Sequence, residues 1–311
     1  MSIRNISNNE AEQFLKKTFS SPTHWPKWNV LVSKYYNTSF YYLGYFEQNM
    51  LTGILPIHES KYKSLLKARH SGQIHLIPNG GWIFNQPVRS NKKLFPVRKF
   101  SSIEIFSLPL LPEFNNDQLP QTAEKKTLIV DLELSLEEIW KNSIHSKRRN
   151  MIRKAEKAGI EITRLDGEKG LDEFYNLFRE SALQYTSKPL PRAFFSELSQ
   201  QTGNISLDIW AAYSRNNHLA NVGIISDKNF SIYWLGNNAQ KVKNMGQGEI
   251  LQWHVIQEMK KKGCRYYDLC YVEPEKLPHI YKFKKGFSKN AVAVPYYQQK
   301  SLPFRFINKL L

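Results

Sequence analysis

The chain has 311 residues, 41% of them apolar and 13% aromatic, enough to bury a sizeable core in two domains and too apolar for disorder. Its two cysteines, Cys264 and Cys270, form no CxxC pair and no histidine cluster stands at ligand spacing, so neither a disulfide framework nor a metal site is expected. The 44 basic and 27 acidic residues give a formal charge of +17 and favour anionic partners, whether nucleic acid, a lipid surface or phosphate-bearing coenzymes, although a solvated lysine-rich surface explains much of the excess.

The polar opening MSIRNISNNEAEQ lacks the apolar centre of a signal peptide, and no run approaches membrane-spanning length, so a cytoplasmic protein is expected. Asn9 to Phe19 reads as a short helix. An aromatic-rich segment then leads into two strands, Phe40 to Phe46 and Leu51 to His58, joined by hairpin chemistry at Glu47-Gln48-Asn49-Met50. Further strands are expected at Gln73 to Ile77 and Ile103 to Ser107, separated by the turn Pro78-Asn79-Gly80-Gly81-Trp82. Pro109 to Pro120 is linker-like. It divides an acceptor-side domain, residues 1–125, from a donor-side domain, residues 126–311, whose extreme C-terminus is free to fold back on the first.

In the second half, Thr127 to Leu132 reads as a strand and Ser135-Leu136-Glu137-Glu138 as a capping box. A basic helix from Lys147 ends at Gly159, and Ile160 to Arg164 is a strand. Helices follow over Gly170 to Tyr185 and from Pro191. A meander of Ile205 to Tyr213, Leu219 to Ser226 and Phe230 to Leu235 precedes a helix in which Leu251, Val255, Ile256 and Met259 share a face from Ile250 to Gly263. Arg265 to Tyr271 is a strand, Pro278 to Phe287 a short basic helix, Ala291 to Tyr297 a last strand, and Phe304 to Leu311 an amphipathic basic tail. Tyr45 to Leu51 lies without gaps over Tyr213 to Leu219, which suggests two related meanders.

Between strand and helix stands Lys243-x-x-Gly246-x-Gly248. Glycines there let the backbone approach an anion, the free N–H groups of the first helical turn point at it, and Lys243 adds charge, so a pyrophosphate fits. The same glycines would also serve a tight turn before an ordinary helix.

A meander, a strand, a glycine loop of this spacing, a helix and a further strand resemble the core order of the GNAT acyltransferases, with Lys243 where the motif has Gln or Arg. Residues 127 to 290 resemble the FemABX acyltransferases, which carry two GNAT-like domains in tandem. The stretches concerned are Arg148-Arg149-x-x-x-Arg153-Lys154-Ala155-x-x-x-Gly159, Tyr267-Asp268-Leu269 and Phe283-Lys284-Lys285-Gly286-Phe287, the last followed by Ser288 where a glycine is frequent. The resemblance implies an α/β (α+β) fold of two tandem GNAT-like domains around a cleft. It further implies acyl transfer from acyl-coenzyme A, with no metal, to the amine of a nucleotide-linked amino sugar for cell-surface polysaccharide.

No helical hairpin of the kind some tRNA-dependent members insert is evident, which leaves aminoacyl-tRNA-dependent peptidoglycan cross-bridging as the alternative. A non-catalytic protein binding anionic polymer or a membrane surface through the tail is a further alternative. Small-molecule partners are expected, with the oligomeric state open.

Acyl transfer to an amine needs a neutral amine, a donor for the developing oxyanion and a proton for the leaving group. Asp268, in an otherwise apolar strand, is the first choice of base, and a structural ion pair with Lys284 or a loop cap is its other reading. Lys284 stabilises an oxyanion or phosphate, or is one cation among Lys282, Lys284 and Lys285. Tyr233 and Tyr271 are proton donors or core aromatics. The coenzyme would lie along Lys243, Asn244, Gly246, Gln247, Gly248 and Glu249, with pantetheine pairing to the strand at Leu235; Glu249 also complements the helix dipole. Arg148 and Arg149 would bind a nucleotide diphosphate, or RNA, or form a solvated face. Tyr42 and Trp82 would stack on base or sugar, or fill the core. His254 reads as a packed helical histidine.

Overall fold

The computed structural model describes residues 1–310 except 63–65, 73–76, 89–93, 95–98, 185–187, 201–202 and 241, so most of the strand expected at Gln73 to Ile77 lies outside the described residues. The chain forms two units, Met1–Thr127 with Val292–Leu311, and Leu128–Ala291. In the first, β1 (Ser2–Ile6) precedes α1 (Asn8–Lys17), whose Ser7 and Glu10 complete a capping box. There follow α2 (Pro26–Tyr36), β2 (Ser39–Glu47), β3 (Met50–Tyr62), β4 (Leu66–Ser71), the short β5 (Ile83–Phe84) and β6 (Ser101–Phe106). Strand β7 (Ala123–Asp131) leads into the second unit.

There α3 (Leu136–Glu138) runs into a π-helical turn, Ile139–Ser143, followed by α4 (Ser146–Lys157), β8 (Glu161–Arg164), α5 (Gly167–Gln184) and α6 (Arg192–Ser199). Then come β9 (Ser206–Ser214), β10 (Asn217–Ser226), β11 (Phe230–Asn238), α7 (Gln247–Lys261), β12 (Tyr266–Asp268) and α8 (Pro278–Lys285). The chain returns to the first unit with β13 (Ala291–Lys300) and α9 (Leu302–Leu310).

The strands run β1-β2-β3-β4-β6-β13 in the first unit, with β5 beside β3, and β7-β12-β11-β10-β9-β8 in the second. Each set contains a parallel pair, β4 with β6 and β11 with β12, among antiparallel neighbours. Two hairpins correspond: Gln48 and Asn49 between β2 and β3, and Arg215 and Asn216 between β9 and β10, all have positive φ, as a type I′ turn requires. The gapless overlay is therefore out of step by one residue, since Glu47 pairs with Met50 where Ser214 pairs with Asn217.

Strand β10 is buried along nearly its whole length because helices cover both faces. Val222 and Ile224 meet Leu251, Val255, Ile256 and Met259 of α7. The alternate residues turn to α5, where Asn221 donates to the Phe174 carbonyl and Gly223 approaches the Phe174 ring. Burying the Leu251, Val255, Ile256 and Met259 side chains contributes roughly 1.5–3 kcal/mol each.

The first unit buries a polar network. His24 Nε2 meets the Gly81 carbonyl at 2.9 Å, Thr23 donates to Asn79 at 2.8 Å, and Asn29 joins His58 Nε2 at 3.0 Å while donating to the Thr23 carbonyl. Burial pushes His24 down to about 4, against the pull of the Gly81 carbonyl, and His58 down to about 3, helped by His70. Both imidazoles stay neutral when folded and take up protons below pH 6.5 when unfolded, so stability is complete above that pH and falls as pH drops toward the folded values. Urea unfolding at pH 7 and pH 4.5 is expected to show a loss on the order of 2 kcal/mol per histidine, with the His24→Gln variant less pH-dependent than the wild type.

Candidate active site

Strands β11 and β12 pair over only three residues, Phe230 to Ile232 with Tyr266 to Asp268. Strand β12 stops there because Asp268 Oδ1 accepts the Cys270 N–H at 2.8 Å, and Cys270, with φ 65°, turns the chain away. Strand β11 continues along β10 and bulges. Gly223 pairs with Leu235 and Ile224 with Tyr233, leaving Trp234 as the extra residue and bending the strand. The ladder with β12 thus ends at Ile232, and Tyr233 and Leu235 lie just beyond it on β11.

The buried Lys284 of α8 serves this opening. Its Nζ donates to the Cys270 carbonyl at 3.0 Å and lies 5.4 Å from the centre of the Tyr233 ring. Burial lowers the pKa of its ammonium, while Cys270 and Asp268 oppose that shift. Burial pushes the Tyr233 hydroxyl up to about 12, with a further push from Cys270, so it remains a proton donor at neutral pH. That hydroxyl lies against Gly236, where an added Cβ would come within 1.9 Å. Behind it, the buried Tyr267 accepts from Gln252 Nε2 at 2.6 Å. Burial pushes the Cys270 thiol up to about 12, with Asp268 adding to it and Lys284 opposing, so it is no nucleophile at neutral pH.

Helix α7 begins at Gln247, a turn earlier than its periodicity indicates, with Gly246 as N-cap at φ 93°. An added Cβ on Gly246 would lie 2.3 Å from the Met151 carbonyl of α4, so this glycine is accounted for by the approach of α4. Asn244 Oδ1 accepts the Gly246 N–H and Gln247 Oε1 the Met245 N–H, while Lys243 is exposed. The buried Glu249, in the first turn, accepts from Arg148 Nη1 at 2.6 Å. Arg148 also donates to the Lys282 carbonyl and lies over the Phe283 ring, so one guanidinium ties α4 to α7 and α8. The first-turn N–H groups have no partner within the helix.

Several assignments change. Arg149 donates from Nη1 to the carbonyls of Trp140, Lys141 and Ile144, which commits that nitrogen to closing the π-helical turn. Tyr42 and Trp82 are fully buried in the first unit. The Tyr42 hydroxyl donates to the His24 carbonyl and Trp82 Nε1 to the Leu94 carbonyl, so both are core. Tyr271 lies past the end of β12, and the strand expected through it is shorter. Leu235 is buried and offers only its backbone. His254 packs edge-on to Trp210. Gln252, Tyr267, Gly236 and the Cys270 carbonyl escape the sequence reading, although a glutamine on the apolar stripe of α7 was a signal for the first. Among the described residues no group of three or more His, Cys, Asp or Glu side chains could hold a metal ion, and no helix is long and apolar enough to cross a membrane.

Residues 143–284, which contain this opening, match the acetyltransferase (GNAT) domain family. FemX, solved by crystallography, is 13% identical, with a TM-score of 0.72 over 100% of both chains. Residues 143–284 are thus the GNAT domain of an acyltransferase, and the chain has the FemX-like tandem fold. The C-terminal domain of a putative lysylphosphatidylglycerol synthetase from Agrobacterium fabrum is 11% identical, with a TM-score of 0.59 over 97% of this chain and 96% of that one. L-PGS from Bacillus licheniformis is 11% identical, with a TM-score of 0.56 over 98% and 96%. No curated protein sequence matches.

In this acyltransferase, Arg148→Ala strands a buried carboxylate and is expected to cost about 3–5 kcal/mol in urea unfolding, largely recovered in Arg148→Met with Glu249→Gln. Gly246→Ala combines a left-handed φ with a backbone clash and is expected to cost at least about 2 kcal/mol. Gly248→Ala, whose added Cβ meets nothing closer than 3.6 Å, is expected to stay within about 1 kcal/mol of wild type by the same measurement.

Proposed function

We propose that the acyltransferase moves an acyl group from coenzyme A to the amino group of a nucleotide-linked amino sugar, with chemistry at the opening between β11 and β12. The observation that carries this reading is the Lys284 ammonium, buried against the Cys270 carbonyl and the Tyr233 ring where the β11–β12 ladder ends. A thioester carbonyl lying there would meet a backbone N–H from β11 and the ammonium, and both stabilise the oxyanion formed as the amine attacks. The Tyr233 hydroxyl is available to protonate the leaving thiolate. Asp268, which holds the Cys270 turn with one oxygen, takes up the proton that the attacking amine loses as the amide forms, and Asp268→Asn, which keeps the acceptor atom and removes the charge, is expected to lower kcat about 100-fold or more. The excess of positive charge suits donor and acceptor phosphates.

A second reading has a specific observation in its favour. Glu249 sets a carboxylate in the first turn of α7, where a coenzyme pyrophosphate would compete with it for the dipole and for Arg148. A donor presenting no pyrophosphate there, such as an aminoacyl ester on tRNA, avoids that competition. The similarity to FemX and to a putative lysylphosphatidylglycerol synthetase also leans this way.

Thiol release from several acyl-CoAs against a panel of nucleotide-linked amino sugars decides between the donors. Release with at least one pair is expected, reduced about 100-fold or more in kcat by Lys284→Met with an unchanged unfolding midpoint. No release from any pair, with no thermal stabilisation by CoA, overturns the coenzyme reading. RNase-sensitive consumption of aminoacyl-tRNA would then establish the second.

A further inference from the structure

In the first unit, two segments bring apolar and basic side chains to one stretch of surface. The Ser301 N–H donates to the Ser101 carbonyl at 3.0 Å, and the Ser101 N–H to Ser301 Oγ at 3.2 Å. This clamp places Phe100, just before β6, beside the start of α9. Leu302 and Phe306 are each 68% exposed and fall four apart on α9, with Arg305 at i+3 on the same face. Phe304 turns inward and anchors the helix, at 4% exposure.

Phe100 is 39% exposed, carries Lys99 over its ring at 5.6 Å, and has φ 59°. A bulky residue in the left-handed region is unfavourable, and an asparagine or glycine would fit that turn better; the chain holds an aromatic ring at the surface where turn chemistry disfavours it. The surrounding sequence is one-signed. Residues 292–311 contain three basic and no acidic residues, and residues 87–100 contain five basic and no acidic residues.

We propose that this face, formed by Lys99, Phe100, Lys300, Leu302, Arg305 and Phe306, docks the protein on an anionic phospholipid surface. A short helix with exposed apolar residues flanked by cations is the arrangement that lies in a bilayer interface, apolar side chains at the acyl boundary and cations among the head groups. A protein partner could also cover exposed phenylalanines. The one-signed charge of both contributing segments selects a surface of uniform negative charge. This inference is independent of the donor and acceptor of the acyl transfer.

The test is sedimentation of the full chain with vesicles of phosphatidylcholine alone or with a third phosphatidylglycerol. Binding to the anionic vesicles and not to the neutral ones is expected. Arg305→Gln and Lys99→Gln are expected to weaken it about fivefold each. The Phe100→Asn, Leu302→Ser, Phe306→Ser triple variant is expected to weaken it at least about tenfold while keeping the wild-type unfolding midpoint and acyl-transfer rate on a soluble acceptor.

Wild-type binding in the triple variant would assign the effect to net charge and overturn the proposal. So would a wild-type dimer, by analytical ultracentrifugation, that the triple variant dissolves while neither form binds vesicles. Failure of the wild type to bind anionic vesicles at low salt overturns it as well.

Discussion

One hydrogen bond, from the Cys270 N–H to Asp268 Oδ1, ends β12 after three residues, and the opening follows from that early end. Had the apolar run through Tyr271 continued as strand, the ladder that stops at Ile232 and Asp268 would have run on along Tyr233, Trp234 and Leu235. The same turn points the Cys270 carbonyl at Lys284, which is buried and needs an acceptor. Strand termination, opening and placement of the cation are thus one local arrangement. The bulge at Trp234 bends β11 from the other side and widens it.

The charges of the second unit divide into those committed inside the protein and those left at its surface. Arg148 and Arg149 are committed, one holding Glu249 against the start of α7, the other closing the carbonyls of the π-helical turn. Lys262 with Asp208, Ser206 and Ser226 makes a third such knot beyond the other end of α7. A buried guanidinium–carboxylate pair adds little net stability against a well-packed apolar pair, but it fixes which elements meet. Arg148 joins three helices in that way, and the position of α8, hence of Lys284, depends on it.

Much of the second unit is legible in the sequence because its signals are local and concordant: an apolar run for β10, a four-residue stripe for α7, glycines at its ends and a capping box before α3. Strand β12 misled because tyrosine, leucine and cysteine favour extended structure, while the side chain that ended it acts over two residues and leaves periodicity untouched. Helix α2 escaped because Pro26, its first residue, reads as a breaker and the tryptophan, tyrosines and valines after it read as strand. The aromatic residues of the first half carry no mark that separates a stacking surface from a core, and Tyr42 and Trp82 prove to be core. Arg149 could not be read at all, since its partners are backbone carbonyls that only the folded π-helical turn presents.

The return of β13 and α9 to the first unit sets an order of assembly during synthesis. Residues 128–291 are contiguous and hold every strand and helix of their own core, so they can fold as soon as they are made. The N-terminal unit has the opposite situation. Until Tyr296 to Lys300 arrive to pair with Ser102 to Phe106, β6 presents an unpaired edge, and a chain interrupted near residue 290 would carry a finished C-terminal unit behind an unfinished N-terminal one. The part of the polypeptide that leaves the ribosome first is therefore the part completed last, exposed meanwhile to chaperones and to pairing with other nascent chains.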